Sequence, residues 1–201
     1  MMNRATHHEN YPDPHHDVEA NTVFGFWVYL MTDFILFASL FAAYAVLRNN
    51  SAGGPTAHDL FSLPYALTET LVLLGSSFTC SLAMLAIPRN DKLKLTAWYA
   101  GTFILGLCFL GLMGAEWAAL IKQGATWQRS AFLSAYFTLI GTHGLHIVFG
   151  LLFTASFLIQ VWQRGLIPIT IRRLTCLKLF WFFSYMAWIF MFAFVYLMGA
   201  K

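Results

Sequence analysis

Five ionisable side chains stand inside long apolar stretches of this 201-residue sequence: Asp33, Glu69, Glu116, His143 and His146. Within a membrane span such a group costs about 2.5–3.5 kcal/mol at mid-bilayer even on the insertion scale, so each is a functional candidate. His143 and His146, at i and i+3, share one helix face, a spacing used by some metal and haem sites. One haem takes its axial ligands from opposite sides, however, and no cysteine, glutamate or further histidine stands beside this pair. Histidines that hydrogen-bond between packed helices fit the pattern better than metal or haem ligands. The three carboxylates allow a proton path or packed acid contacts, and their depths distinguish the two. No Walker loop, GxSxG elbow or HExxH sequence accompanies them.

The elements that must carry these groups follow from composition. Hydrophobic residues make up 59% of the chain and charged residues only 10%, against about 25% charged in ordinary soluble domains. A water-soluble enzyme is excluded, and a net charge of +3 spread along the chain makes no nucleic-acid patch. Cys80, Cys108 and Cys176 are isolated within apolar sequence, where small buried hydrophobes are expected rather than disulfides. Five apolar runs, at 23–47, 63–87, 95–121, 131–162 and 174–199, each exceed the ~20 residues that cross a hydrocarbon core of ~30 Å. The expected fold is an all-α membrane protein, a bundle of five transmembrane helices spanning residues 23–201. Residues 1–22, with His7-His8, His15-His16, Pro12 and Pro14, read as a polar, irregular tail. Trp27, Trp98, Trp117 and Trp162 fall near run ends, as interfacial belts require. Gly141, Gly144 and Gly150, with the Ala38/Ala42 and Ser39/Ala43 spacings, read as close-packing seams.

Lysine and arginine counting orients the bundle. Arg4, Arg89, Lys92, Lys94, Arg164, Arg172 and Arg173 lie on one side, against Arg48, Lys122, Arg129 and Lys201 on the other. The positive-inside rule therefore puts the N-terminus in the cytoplasm and the C-terminus outside. Lys178, one turn inside the fifth run, is placed to snorkel toward the cytoplasmic side. At about 1.5 Å rise per residue, Asp33 lies roughly 15 Å deep, and His143 and His146 roughly 18 and 22 Å deep. Glu69 and Glu116 each lie about 8–9 Å from the outer face. Two layers are expected: Asp33 paired with a histidine of the fourth helix, and Glu69 with Glu116 nearer the outside. Two layers do not make a continuous relay. A stand-alone transporter or proton conductor using Asp33, Glu69 and Glu116 is the rival reading. It lacks an internal repeat or broken helices. A membrane enzyme centred on His143 and His146 lacks a nucleophile.

The stretch Gly141-Thr142-His143-Gly144-Leu145-His146 resembles a helix motif of subunit III of haem-copper terminal oxidases, and residues 24–33 (FGFWVYLMTD) resemble the start of that subunit's five-helix core. Asp33 falls where the family keeps a buried carboxylate. Gly53-Gly54-Pro55, Leu63-Pro64, Glu69 with Ser76-Ser77, Glu116, Arg129-Ser130 and the ending Val195-Tyr196-Leu197-Met198-Gly199 are also similar. With five helices behind a short His-rich tail, the chain looks most like the quinol-oxidase form of the cytochrome bo type. The resemblance implies a non-catalytic subunit in the bacterial inner membrane, its C-terminus periplasmic. It further implies packing on subunit I, where the haems and copper reside, and phospholipid held in a cleft near Asp33. No cofactor is expected in this chain itself. The family's last helix reads Trp-His-Phe-x-Asp-x-x-Trp. Here Phe182 and Tyr185 replace its histidine and aspartate between Trp181 and Trp188, which puts any role of that polar pair in doubt.

Overall fold

The structure, a computed structural model, describes residues 14–48, 50, 62–88 and 91–199. Five helices follow in order: α1 (Pro14–Leu47), α2 (Leu63–Leu85), α3 (Lys92–Lys122), α4 (Ala131–Arg164) and α5 (Pro168–Met191). All five are long and apolar enough to cross a membrane. A chain whose backbone groups are bonded within helices leaves none to be satisfied by hydrocarbon. Phe192–Leu197 continues α5 as a π-helix.

The helix ends are written in local chemistry. Pro14 and Pro168 open α1 and α5, where proline's missing N–H has no helical partner to lose. For this reason α1 reaches back to Pro14, into the stretch expected to be irregular; residues 1–13, with His7-His8, lie outside the described residues. The Ser130 side chain accepts from the Leu133 N–H at 3.2 Å and caps α4. Gly165, at φ 75°, ends α4 in the left-handed region that glycine alone enters freely.

The helices α4 and α5 form the centre: α4 packs on α1, α3 and α5, and α5 packs on α1, α2 and α4. The α2–α3 hairpin is joined by hydroxyls, with Ser76 Oγ donating to the Thr102 carbonyl at 3.1 Å and Thr79 Oγ1 lying 2.9 Å from Thr102 Oγ1. Glycines admit the large rings. A Cβ on Gly106 would lie 2.9 Å from Trp181, and one on Gly150 2.7 Å from Phe180. Trp181 fills the space so created and donates its Nε1–H to Thr154 Oγ1 at 3.2 Å. Gly141 and Gly144 likewise sit against Trp117 and Met113, as the seam on this helix requires.

Three expectations need correction. Ala38, Ser39, Ala42 and Ala43 are all exposed, so they form no seam within this chain; α1 packs through Leu30, Asp33, Phe37 and Tyr44 instead. Small residues permit close approach without compelling it. Trp117 turns inward against Phe137 and Gly141 rather than joining an interfacial belt. Cys108 is exposed on α3, because an outward thiol facing lipid gives up little that burial would provide.

Candidate functional site

The mid-depth layer brings α1 and α4 together. Asp33 Oδ2 lies 3.3 Å from His146 Nε2, with the two side chains only 11% and 14% exposed. This is an ion-pair contact rather than an aligned hydrogen bond. One turn back, His146 Nδ1 is 3.0 Å from the Thr142 carbonyl. A carbonyl only accepts, so Nδ1 carries the hydrogen in that bond, and Nε2 is left facing the carboxyl. The contact thus sets the imidazole Nε2 of α4 against the carboxyl of α1.

His143 behaves differently from its neighbour. It is fully buried, and neither ring nitrogen has a hydrogen-bond partner among the described residues. The interhelical hydrogen bond expected of it is therefore absent among those residues. Rings surround it instead: Trp188 at 5.3 Å between centroids, Phe109 at 5.8 Å edge-on, and Phe37 at 6.3 Å. Phe37 also packs against His146 at 5.1 Å, so it separates the two histidines from the outer surface of α1. The i, i+3 spacing that placed both histidines on one face thus delivers them to different neighbours, one polar and one aromatic.

The outer layer lies between α2, α3, α4 and the π-helical end of α5. Tyr196 Oη donates to Glu116 Oε2 at 2.9 Å and lies 3.2 Å from Tyr136 Oη. Glu69 is fully buried, and neither of its carboxyl oxygens has a hydrogen-bond partner among the described residues. Tyr65, one turn before Glu69, donates to the Leu112 carbonyl at 2.7 Å and ties α2 to α3 beside the acids. Trp188 Nε1 donates to Thr70 Oγ1 at 3.0 Å and ties α5 to α2. Sequence reasoning missed Tyr136, Tyr196 and Thr70 in this layer. Tyr136 was findable, since it stands seven residues before His143 and hence on the same face. Tyr196 was not, because the wider π turn sets its direction.

Two apolar grooves flank α1. One, of about 380 Å³, runs between α1 and α5 and is lined by Phe34, Phe37, Phe41, Phe183 and Phe190. The other, of about 430 Å³, lies among α1, α4 and α5, lined by phenyl rings with Tyr29 and Arg173. Arg173 is held there by donating to Gln160 Oε1 at 2.9 Å. Among the described residues no three His, Cys, Asp or Glu side chains gather as a metal site.

The pattern of one family, cytochrome c oxidase subunit III, matches residues 4–200. The chain belongs to that family. It is 52% identical over 188 residues to a cytochrome bo(3) ubiquinol oxidase subunit 3 of Pseudomonas aeruginosa, covering 94% of this chain and 90% of that one. It is 38% identical over 177 residues to a quinol oxidase subunit 3 of Bacillus subtilis, covering 88% and 87%. A cytochrome c oxidase subunit 3 of a Bacillus species matches at 40% over 179 residues, covering 89% and 86%. The likeness thus takes in every helix and both polar layers.

Proposed function

We propose that this chain is the non-catalytic third subunit of a bacterial proton-pumping ubiquinol oxidase of the cytochrome bo type. It packs on the large subunit that holds the haems and copper, carries no cofactor of its own, and supports sustained turnover in aerobic respiration. The observation that carries this reading is how the intramembrane polar groups are used. Asp33 faces His146, Glu116 accepts from Tyr196, and Trp188 reaches Thr70, each joining two helices. Groups committed to holding helices together suit a scaffold. The excess of basic residues on the N-terminal side supports an N-terminus in the cytoplasm and a C-terminus in the periplasm, with the bundle in the inner membrane.

Phospholipid fits the Arg173 groove, with a phosphate at the guanidinium and an acyl chain along Phe26, Phe153, Phe157 and Phe180. His146 stacks on Phe180, which lines that groove, so the Asp33 contact lies just behind it. A stand-alone transporter using Asp33, Glu69 and Glu116 gains no support, since relatives covering nearly the whole chain are named as oxidase subunits. The testing experiment is purification from the native membrane under mild detergent. Co-purification with a haem-bearing large subunit is the expected result. A chain that emerges alone, and then transports or turns over substrate unaided, overturns the proposal.

A further inference from the structure

Lys178 is an intramembrane charge that the contacts described above leave unused. Because α5 begins at Pro168 rather than near residue 174, Lys178 stands about 15 Å along the helix, nearly three turns in. Arg173, whose guanidinium bonds Gln160, marks the polar end of the helix, and Lys178 is roughly 7–8 Å deeper by the same rise. Its side chain is exposed, and no carboxylate among the described residues comes within ion-pair distance of it.

The surroundings of Lys178 have a definite shape. Phe182 and Ile189 follow it on the same face at i+4 and i+11, and both are exposed, Phe182 by 56%. To one side of this strip, Phe183 and Phe190 turn toward α1. To the other, Trp188 turns toward Thr70 on α2. The helices α1 and α2 share no extensive interface with each other. The strip is therefore the floor of a trough that opens between them, made by Phe182, Tyr185 and Ile189 and cationic at one level.

We propose that this trough seats a transmembrane helix of another subunit of the same complex, and that the helix presents an aspartate or glutamate level with Lys178. The inference rests on the reading of the chain as an oxidase subunit. Hydrocarbon does not solvate an ammonium group, so an uncompensated lysine within a span is costly. A carboxylate on the incoming helix meets the same cost, and bringing the two together relieves both. A single charge pair in this trough also fixes depth and partner choice, which an apolar contact leaves open. Lipid phosphate is the competing occupant, because a lysine side chain leans toward the N-terminal end of its helix and reaches outward.

The test uses the complete complex in its native membrane. A photo-cross-linking residue, p-benzoylphenylalanine, is placed at position 182 and separately at 189. The expected product is a covalent adduct to another subunit of the complex at both positions, located by mass spectrometry to one helix bearing a carboxylate. In parallel, the ratio of this chain to the haem-bearing subunit is followed through a detergent titration, normalised to the amount in the membrane. Lys178→Met is expected to weaken retention at least about tenfold and Lys178→Glu further, with Lys178→Arg retaining the chain. Adducts to lipid alone at both positions, or retention unchanged in Lys178→Glu, overturn the proposal. If the unaltered chain brings no other subunit with it, the functional reading fails first, and that result is scored before any variant is made.

Discussion

The contact between Asp33 and His146 invites a double-mutant cycle, because each group has a separable alternative. In Asp33→Ala the carboxyl is gone, and His146 Nε2 faces a gap while Nδ1 keeps its bond to Thr142. Both side chains are largely buried, at 11% and 14% exposed, so water replaces the lost contact only in part. Losing one partner of such a pair costs about 1–3 kcal/mol. Interhelical polar contacts measured in membranes average about 0.6 kcal/mol and reach about 1.7. Because both groups are largely buried, the upper part of that range applies, and the coupling energy expected is about 1–2 kcal/mol. His146→Leu should cost a similar amount, and the double variant little more than either single one. Asp33→Asn should recover most of the loss, because an amide N–H can donate to Nε2 without carrying charge. The assay is equilibrium unfolding of the chain in lipid bicelles, read by tryptophan fluorescence and repeated for all four proteins. In the assembled oxidase, Asp33→Ala should leave initial oxygen-reduction rates nearly intact while shortening the working lifetime. Additive single costs, with coupling below about 0.3 kcal/mol, would show that proximity here carries no energy. An immediate collapse of initial turnover would refute the structural role and favour a proton-path role for Asp33.

Four further outcomes follow from the packing. Gly106→Ala would bring a Cβ to 2.8 Å from Leu151 and 2.9 Å from Trp181; a loss of about 1–3 kcal/mol is expected in the same unfolding assay. Gly111→Ala meets nothing within 4 Å and should gain up to about 1 kcal/mol from helix propensity, which makes it the matched control. Tyr196→Phe removes the hydroxyl that donates to Glu116; about 1–2 kcal/mol should be lost, with faster amide exchange confined to the C-terminal end of α5. Ser130→Ala removes the cap on Leu133 and should cost about 1 kcal/mol, seen as fraying of the first turn of α4 in amide exchange.

The number of helices, most of their limits and the two polar levels were legible in the sequence because each depends on distance along one axis; the starts of α1 and α5, at Pro14 and Pro168, fell nine and six residues before the apolar runs because proline opens a helix in polar sequence. Rise per residue turns a position into a depth, and depth alone brought Asp33 level with the histidines of α4. The direction in which a side chain faces around the helix depends on packing, and that part was not legible. His143 and His146 differ by three residues and lie on one face, yet one meets a carboxyl and the other three aromatic rings. Phe37 packs against both, and what distinguishes them is Asp33 of α1 at one and Trp188 and Phe109 at the other, residues whose positions no pattern within α4 encodes. Likewise, the small residues of α1 satisfied a packing spacing and proved exposed, because bulky Phe37 and Tyr44 claimed the inward face.

The same division explains why Glu69 and Glu116 belong to one layer without being equivalent. Their depths agree, but their supplies of hydrogen-bond donors differ. Glu116 lies within reach of the π-helical end of α5, whose extra residue per turn swings Tyr196 inward to donate at 2.9 Å. Glu69 faces the same cluster from α2, where its nearest polar neighbours serve other partners: Tyr65 bonds Leu112, and Thr70 bonds Ala66 while accepting from Trp188. Straightening the π turn into an α-helix would rotate Tyr196 by part of a turn and leave Glu116, like Glu69, without a hydroxyl donor. The irregular end of α5 is thus what gives one of the two buried carboxyls its donor, and it is the feature a regular helical pattern could not have disclosed.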